Sequence, residues 1–274
     1  MHEERHDEFV EELPAPAVLD SMEEMIRISR RMVSFTGAGI STESGIPDYR
    51  GPNGVWQTGK IPHIDTVRTD EEARKESWQR RLETYPTMLA RVPNAGHDAL
   101  ARFEKAGKLL AVITQNIDGL HQKAGNLPER VIELHGSSHR LHCLNCGATY
   151  DGVTIQARLE AGEPDPRCDV CGGPLRTSTI LFGESLPVEA LQLAHRVSMA
   201  ADLMLVVGSS LVVNPAARLP QIARQQGAGL IIINRTPTPL DGLADIRVAA
   251  EAGPTLSELA RRVLGPVSAC GTGK

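Results

Sequence analysis

Aromatic side chains are scarce in this 274-residue chain: they make up 3% of it, against 41% hydrophobic residues in all. Any core must therefore be built from aliphatic side chains and alanine. No apolar run approaches the roughly 20 residues that a membrane span needs. Basic charge is not in excess: the formal net charge is −5, which argues against nucleic acid as the main partner. The opening stretch, Met1 to Glu12, is acidic, the opposite of a secretory or transit signal. Neither an internal repeat nor a low-complexity block occurs. Together these absences lead to the expectation of a cytoplasmic protein with no membrane contact.

Cysteine is also sparse, but its placement is informative. Four of the five cysteines form two C-x-x-C pairs, Cys143-Leu144-Asn145-Cys146 and Cys168-Asp169-Val170-Cys171, with 21 residues between them. In a reducing compartment this pattern suggests a metal rather than disulfides. Two such knuckles close a tetrahedral four-thiolate zinc site, which leaves no open position and is therefore structural. The rival readings are a redox dithiol and a nucleic-acid-binding zinc ribbon. His139 and His142 lie nearby and read as surface histidines, because four thiolates already fill the shell.

The rest of the chain alternates apolar strands with helical stripes, the signature of an α/β fold with a parallel sheet covered on both faces. Strands are expected at Met32–Phe35, Leu109–Ile113, Val131–Leu134, Thr179–Phe182, Leu203–Val207, Leu230–Ile233 and Ile246–Ala249. Ser21-Met22-Glu23-Glu24 reads as a capping box opening a short helix. Trp78, Leu82, Tyr85 and Leu89 recur at helical spacing and suggest a packing face on an inserted helix. The organisation that follows is a Rossmann-like domain from 21–60, 94–136 and 177–265. A helical insertion, 61–93, and a zinc module, 137–176, form a smaller inserted domain. Residues 1–20 read as a mobile acidic tail and 266–274 as a flexible one, with Cys270 loose on it.

Polar clusters follow one strand after another, at Gly37, Gln115, His135, Glu184, Gly208 and Asn234. Parallel strands would put all of these on one edge, where open α/β sheets bind ligands. The first cluster, Thr36-Gly37-Ala38-Gly39-Ile40-Ser41, reads as a strand feeding a phosphate-binding glycine turn. It is not the full dinucleotide fingerprint, because Thr42 holds the third glycine position. An ordinary strand-to-helix turn is the alternative. Gly45-Ile46-Pro47-Asp48-Tyr49-Arg50 then supplies a stiffened polar segment whose arginine can fork onto phosphate.

These pieces, with Thr114-Gln115-Asn116-Ile117-Asp118, His135-Gly136, the four zinc cysteines, Phe182-Gly183-Glu184, Gly208-Ser209-Ser210 and Asn234, occur in the order found in a known family. The chain resembles the sirtuins, NAD-dependent protein lysine deacylases, over roughly residues 20 to 265. The resemblance implies NAD as co-substrate, one structural zinc ion and acyl-lysine proteins or peptides as partners. Gly37, Ala38, Gly39, Ile40, Ser41 and Arg50 would then hold the NAD pyrophosphate, with Asp48 also on the cofactor and the Tyr49 ring covering the nicotinamide pocket. Asn116 and Asp118 would orient the nicotinamide ribose and carboxamide, and Ile117 would pack on the ring. Gln115 and His135 would touch the ribose hydroxyls. Gly208, Ser209, Ser210, Asn234 and Arg235 would face the phosphate and adenosine ribose, and Ala252 would border the adenine.

In the implied reaction the acyl oxygen attacks the ribose carbon as nicotinamide leaves. His135 acts as general base, with Asn116 beside it, and the acyl group ends on ADP-ribose. An imidazole suits that task, its ordinary pKa of about 6.5 lying near working pH. Phe182, Gly183 and Glu184 would line a cleft where the substrate peptide adds as a strand.

Tyr49 stands where phenylalanine is commoner in the family. The Tyr-x-x-Arg pair of members that prefer succinyl and malonyl groups is not evident, although Trp78 and Arg81 share its spacing. Uncharged acyl groups, acetyl first, are therefore expected. The alternatives are a deacylase preferring longer or acidic acyl groups and an NAD-dependent mono-ADP-ribosyltransferase.

Overall fold

The computed structural model describes residues 13–48, 64–181 and 183–266. In chain order its elements are α1 (Pro16–Ile28), β1 (Met32–Thr36), α2 (Ile64–Thr69), α3 (Glu71–Leu89), α4 (Ala95–Lys105), β2 (Leu109–Thr114), α5 (Leu120–Lys123) and β3 (Val131–Glu133). There follow β4 (Gly136–Cys143), β5 (Thr149–Asp151), α6 (Gly152–Glu160), β6 (Leu175–Thr179), α7 (Val188–Ala200), β7 (Leu203–Val207), α8 (Leu219–Gln225), β8 (Gly229–Ile233), β9 (Ile246–Val248) and α9 (Ala252–Leu264). A 3-10 turn, Ala38–Ser44, follows β1 directly.

Six strands pair in the order β3-β2-β1-β7-β8-β9, every pair parallel. This is the doubly wound order in which the chain leaves the central strand in one direction and returns on its other side. Alternation along the strands explains the two covered faces. Leu205, Val207, Ile231 and Ile233 pack with Met22, Ile26, Leu100, Phe103, Leu256 and Leu259 of α1, α4 and α9. Val33, Phe35, Met204, Val206 and Ile232 turn the other way, onto Ala194 of α7 and Leu219 and Ala223 of α8. The aliphatic core expected from the composition is thus two layers, one on each face of the sheet.

Between β3 and β7 the chain builds a second, antiparallel sheet, β5-β4-β6. Its core is Trp78 of α3 with Leu141, Cys143, Ile155, Leu159, Cys168 and Leu175. The buried face of α3 carries Arg74, Trp78, Arg81 and Tyr85, whereas Leu89 is 36% exposed. The helical spacing was therefore legible, but two arginines share the face that apolar residues were expected to fill.

Two sequence expectations need correction. The first is the N-terminal boundary. Pro16–Asp20 belong to α1 rather than to a tail, and Leu19 is buried against the sheet. Ser21 is inside the helix, its hydroxyl donating to Ala17 O (3.0 Å), so it caps nothing. Pro16 opens the helix instead, at a position whose N–H has no intrahelical partner to lose.

The second concerns Thr179–Phe182. The strand there is Leu175–Thr179 and it pairs antiparallel with β4, in the small sheet. Glu184 consequently does not follow a strand of the parallel sheet. Tyr49, Arg50 and Phe182, like residues 1–12 and Cys270, lie outside the described residues. No helix among the described residues is long and apolar enough to cross a membrane.

Candidate active site

The doubly wound order opens a crevice where the connections from β1 and β7 diverge. Gly37 and Gly39 on one side meet Gly208 on the other. Gly37 N–H donates to Val207 O (3.1 Å) and Gly39 N–H to Gly208 O (2.9 Å). A Cβ on Gly39 would stand 2.6 Å from Gly208 Cα, and one on Gly208 would stand 2.4 Å from Ile40 N. Backbone passes backbone here with no room for a side chain, which is why three glycines recur at this point.

The end of β2 brings the polar cluster into the same crevice. Gln115 N–H donates to Thr36 O (2.9 Å), and its side-chain amide donates to Ser209 Oγ (2.7 Å). Asn116 Nδ2 donates to Gly37 O and to Ser41 Oγ, both at 3.1 Å. Ser41 Oγ in turn donates to Asp118 Oδ2 (2.7 Å), whose other oxygen accepts from Leu120 N–H (2.9 Å). Asn116, Asp118 and Ser41 are all buried. The strand ends of β1 and β2, far apart in sequence, are thus joined by one polar network. Ile117 and Ala38 are half-buried beside it, and Ile40 is fully buried.

His135 follows β3 and lies on the same edge. Its Nδ1 is 2.9 Å from Gln115 O. A carbonyl only accepts, so Nδ1 carries the hydrogen and Nε2 is left as the basic nitrogen. Burial pushes the His135 pKa below 6.5, and the bond to Gln115 O opposes only part of that shift. A neutral imidazole with a free lone pair at pH 7 is the form a general base requires.

Along the other half of the sheet, Ser209 is buried, Ser210 is half-buried, and Asn234 is buried with Nδ2 donating to Thr236 O (2.7 Å). Arg235 is exposed and pairs with Glu251 (2.6 Å), the residue preceding α9, whose first residue is the buried Ala252. Asp48 is half-buried at the end of the first described segment. Gly183 and Glu184 lie in the loop after β6, close behind Ile180, whose N–H donates to His135 O (3.0 Å). Glu184 pairs with Arg176 (2.6 Å) and accepts from Leu181 N–H (2.8 Å); burial raises its pKa, but these partners outweigh that and hold it below 4.5.

Several residues that support the site escaped the sequence reading. Asn94 caps α4, and its Nδ2 donates to Ile40 O (2.7 Å), tying that helix to the glycine turn. His97 Nδ1 accepts from Asn94 N–H (3.4 Å), and Nε2 lies 3.5 Å from Ser41 Oγ. Its pKa falls to about 4 through burial, with Asp118 opposing. His121 sits 5.0 Å away, ring centre to ring centre, with Nε2 2.9 Å from Thr36 Oγ1. Its pKa is driven well below 6.5 by burial and then by His97. The signal for Asn94 was present, an N-cap residue before a helical stripe. For the histidines there was none, because nothing local marks a residue as buried beneath a site.

His139 and His142 are not surface histidines. His139 bonds Asp118 O (2.8 Å) and Tyr85 Oη (3.1 Å), and His142 bonds Ser178 Oγ (2.9 Å), with its pKa lowered by burial and by Arg176. Both are half-buried because other segments face them, the 116–118 loop and Tyr85 at His139 and Ser178 at His142.

The four sulfurs Cys143, Cys146, Cys168 and Cys171 lie within 4.8 Å of one another. Tetrahedral zinc with Zn–S near 2.3 Å sets its sulfurs about 3.8 Å apart. The nearest pairs here, Cys143–Cys171 at 3.5 Å and Cys146–Cys168 at 3.6 Å, match that spacing. Each knuckle closes in the same way: Gly147 N–H donates to Cys143 O and Gly172 N–H to Cys168 O. Among the described residues these four sulfurs gather with no further candidate ligand, which suits a structural zinc ion, and Cys143 and Cys168 belong to the core of the small sheet.

Comparison with known proteins agrees with this geometry. The Sir2 family model matches residues 37–215. NAD-dependent protein deacetylase 1 of Bradyrhizobium diazoefficiens is 46% identical over 238 residues, covering 87% of this chain and 93% of that protein. The NAD-dependent protein deacetylase of Thermodesulfovibrio yellowstonii is 45% identical over 236 residues, covering 86% and 91%. A solved Sir2 with p53 peptide and NAD+ superimposes with TM-score 0.79 at 40% identity, covering 90% of this chain and 97% of its own. Another, with deacetylated p53 peptide and 3'-O-acetyl ADP ribose, gives TM-score 0.80 at 40% identity over the same shares.

Proposed function

The chain belongs to the Sir2 family, and on that premise we propose that it is an NAD-dependent protein lysine deacetylase, releasing nicotinamide and O-acetyl-ADP-ribose. The observation that carries this reading is the meeting of Gly37–Ser41, Asn116, Asp118, His135 and Gly208–Ser209 along one sheet edge, at the divergence of β1 and β7.

NAD supplies an electrophilic ribose carbon, which the acetyl oxygen of the substrate attacks as nicotinamide departs. The chain's own residues hold and orient. The close-packed glycines leave the crevice open to the pyrophosphate, with Ser209, Ser210, Asn234 and Arg235 toward the adenosine half and Ala252 near the adenine. Asn116 and Asp118, fixed by Ser41, are pre-positioned for the nicotinamide ribose and carboxamide, so binding spends little on ordering them. His135 takes the ribose proton at Nε2 while Nδ1–H stays on Gln115 O. The loop with Gly183 and Glu184 receives the peptide by backbone hydrogen bonds.

Arg81 supports acetyl over acidic acyl groups. Its Nη1 donates to Ser138 O and its Nη2 to Gly152 O, both at 3.1 Å, so the guanidinium is committed to backbone carbonyls. Trp78 Nε1 is likewise committed, to Asp165 Oδ1 (3.1 Å). The cytoplasm is the compartment that fits four cysteines gathered at a metal site rather than paired as disulfides. The larger unit of this enzyme is the doubly wound sheet, and the smaller is α2–α3 with the zinc module.

The test is mass-spectrometric product analysis with NAD and acetyl- and succinyl-lysine peptides. O-acetyl-ADP-ribose formation, lost in His135→Ala, is expected, with acetyl removal the faster. ADP-ribosylated protein in place of deacetylated peptide would overturn the reading, and faster succinyl removal would overturn the acyl preference.

A further inference from the structure

The loop that carries Asn116 and Asp118 has two sides. Its side chains enter the crevice, while its backbone carbonyls are held by β4. Ile117 O accepts from Ser138 N–H (3.0 Å) and from Ser138 Oγ (2.5 Å). Asp118 O lies 2.8 Å from His139 Nε2. A carbonyl cannot donate, so Nε2 carries the hydrogen, and in the neutral ring Nδ1 is the acceptor. The Tyr85 hydroxyl, 3.1 Å from Nδ1, must then donate. Protons are thus ordered in one direction: Tyr85 Oη–H to Nδ1, and Nε2–H to Asp118 O.

Both ends of this chain are fixed. Tyr85 is 2% exposed, and the Arg81 guanidinium carbon stands 3.8 Å over its ring centre. Arg81 itself bonds Ser138 O and Gly152 O, so α3, β4 and the start of α6 are locked together. At the other end Gly119 has φ +70°, and a Cβ there would fall 2.8 Å from His139 Cδ2, so the imidazole rests directly on the loop backbone. Four residues beyond His139 on the same strand is the metal-site residue Cys143.

We propose that His139 is a positioning residue of the NAD site: it transmits the placement of α3, through Tyr85, to the backbone of Asp118, and so sets the loop that presents Asn116 and Asp118. The role rests on the deacetylase reading for its kinetic consequence, but not for its effect on NAD binding. Substrate-binding residues on the parallel sheet are thereby aligned by the small sheet. This gives the zinc module an effect on the crevice through β4, without any contact between metal and substrate.

The test compares wild type, His139→Ala, His139→Gln and Tyr85→Phe. It reads KM for NAD, kcat, the Kd for NAD by titration calorimetry, zinc content and thermal midpoint. Loss of one backbone-directed hydrogen bond should raise both KM and Kd for NAD by about five- to tenfold in His139→Ala. Zinc content should stay at one ion per chain and kcat should change less than KM. Glutamine places an amide N–H near the position of Nε2, so His139→Gln should recover most of the loss. Tyr85→Phe should fall in between, and Tyr85→Phe with His139→Ala should be no worse than His139→Ala alone, because the two act in series. The proposal is overturned if NAD affinity is unchanged in His139→Ala, if glutamine restores nothing, if the double variant is additive, or if activity falls only in step with zinc or folded protein. A wild type that binds NAD but releases no acetyl group would instead overturn the deacetylase reading, while the Kd series would still report on His139.

Discussion

Replacing Gly208 with alanine separates two reasons for a glycine that usually act together. Gly208 has φ +59°, close to the left-handed helical value near +57°, the least costly positive φ for a residue with a side chain. Gly227 has φ +89°, further from that value, but a Cβ there meets nothing within 4 Å. If backbone strain alone mattered, Gly227→Ala would cost at least as much as Gly208→Ala, each about 1–2 kcal/mol. At Gly208, however, the added carbon would stand 2.4 Å from Ile40 N and 2.5 Å from Gly39 C. These are backbone atoms that no rotamer change can move, so an overpacking cost of about 1–3 kcal/mol is added. Urea unfolding of the two variants should place Gly208→Ala below Gly227→Ala by that margin, with equal m-values. NAD titration should show weakened binding only in Gly208→Ala, because the turn at Gly37–Ser41 must shift to relieve the contact. Equal stabilities within about 0.5 kcal/mol, or unchanged NAD affinity in Gly208→Ala, would refute the close approach of the β1 and β7 connections on which the site geometry depends.

Two further outcomes concern protons and metal. The folded pKa of His97 lies below its unfolded value of 6.5, at about 4, so the neutral form is favoured by folding. Its contribution is complete above pH 6.5 and is lost as the pH falls, by roughly 2 kcal/mol between pH 7 and pH 5, which urea titrations at the two pH values would read. His121 shifts the same way and steepens the loss; a flat stability across that window would contradict the burial of both rings. For His135 the same sign puts the acidic limb of kcat/KM below pH 6.5, and a limb above it would show that the free enzyme holds this imidazole charged. Cys143→Ser should abolish zinc retention and expose the Trp78–Leu141–Leu175 core to proteolysis. Metal binding of order 10 kcal/mol is part of the folding free energy of such modules, and full activity in the metal-free variant would contradict that.

The parts of the fold that were legible are those in which one physical signal dominates. Leu203–Val207 and Gly229–Ile233 are continuous apolar runs, and only a strand covered on both faces uses such a run in a doubly wound protein. The cysteine pairs were legible because tetrahedral closure restricts spacing severely. The order of strands was not written in any single segment, yet clusters such as Gln115–Asp118 and Gly208–Ser210 made sense only if their strands ran parallel. Residues whose role is set by tertiary neighbours gave no local sign. Nothing beside Arg81 in the sequence marks it as buried; Ser138 and Gly152, far along the chain, present their carbonyls to it. Thr36, Thr114 and His121 join beneath the crevice through hydroxyl and ring contacts that no sequence period encodes.

The strand β4 shows most clearly why reading by segments has a limit. Its sequence, Gly136-Ser137-Ser138-His139-Arg140-Leu141-His142-Cys143, is too polar to announce a strand, since only Leu141 and Cys143 enter the apolar core of the small sheet. What makes it a strand is the pairing offered by β5 on one edge and β6 on the other. What makes it functional is that its polar side chains are used instead of being solvated: Ser138 and His139 hold the carbonyls of Ile117 and Asp118, and His142 bonds Ser178. His135 immediately precedes it and Cys143 ends it. A segment that links the proposed general base, the Asn116–Asp118 loop and the four-cysteine site in eight residues cannot also follow the apolar alternation by which strands are recognised, because each side chain spent on a hydrogen bond is withheld from the core. The same demand that hid β4 from the sequence reading is what couples the two sheets across the site.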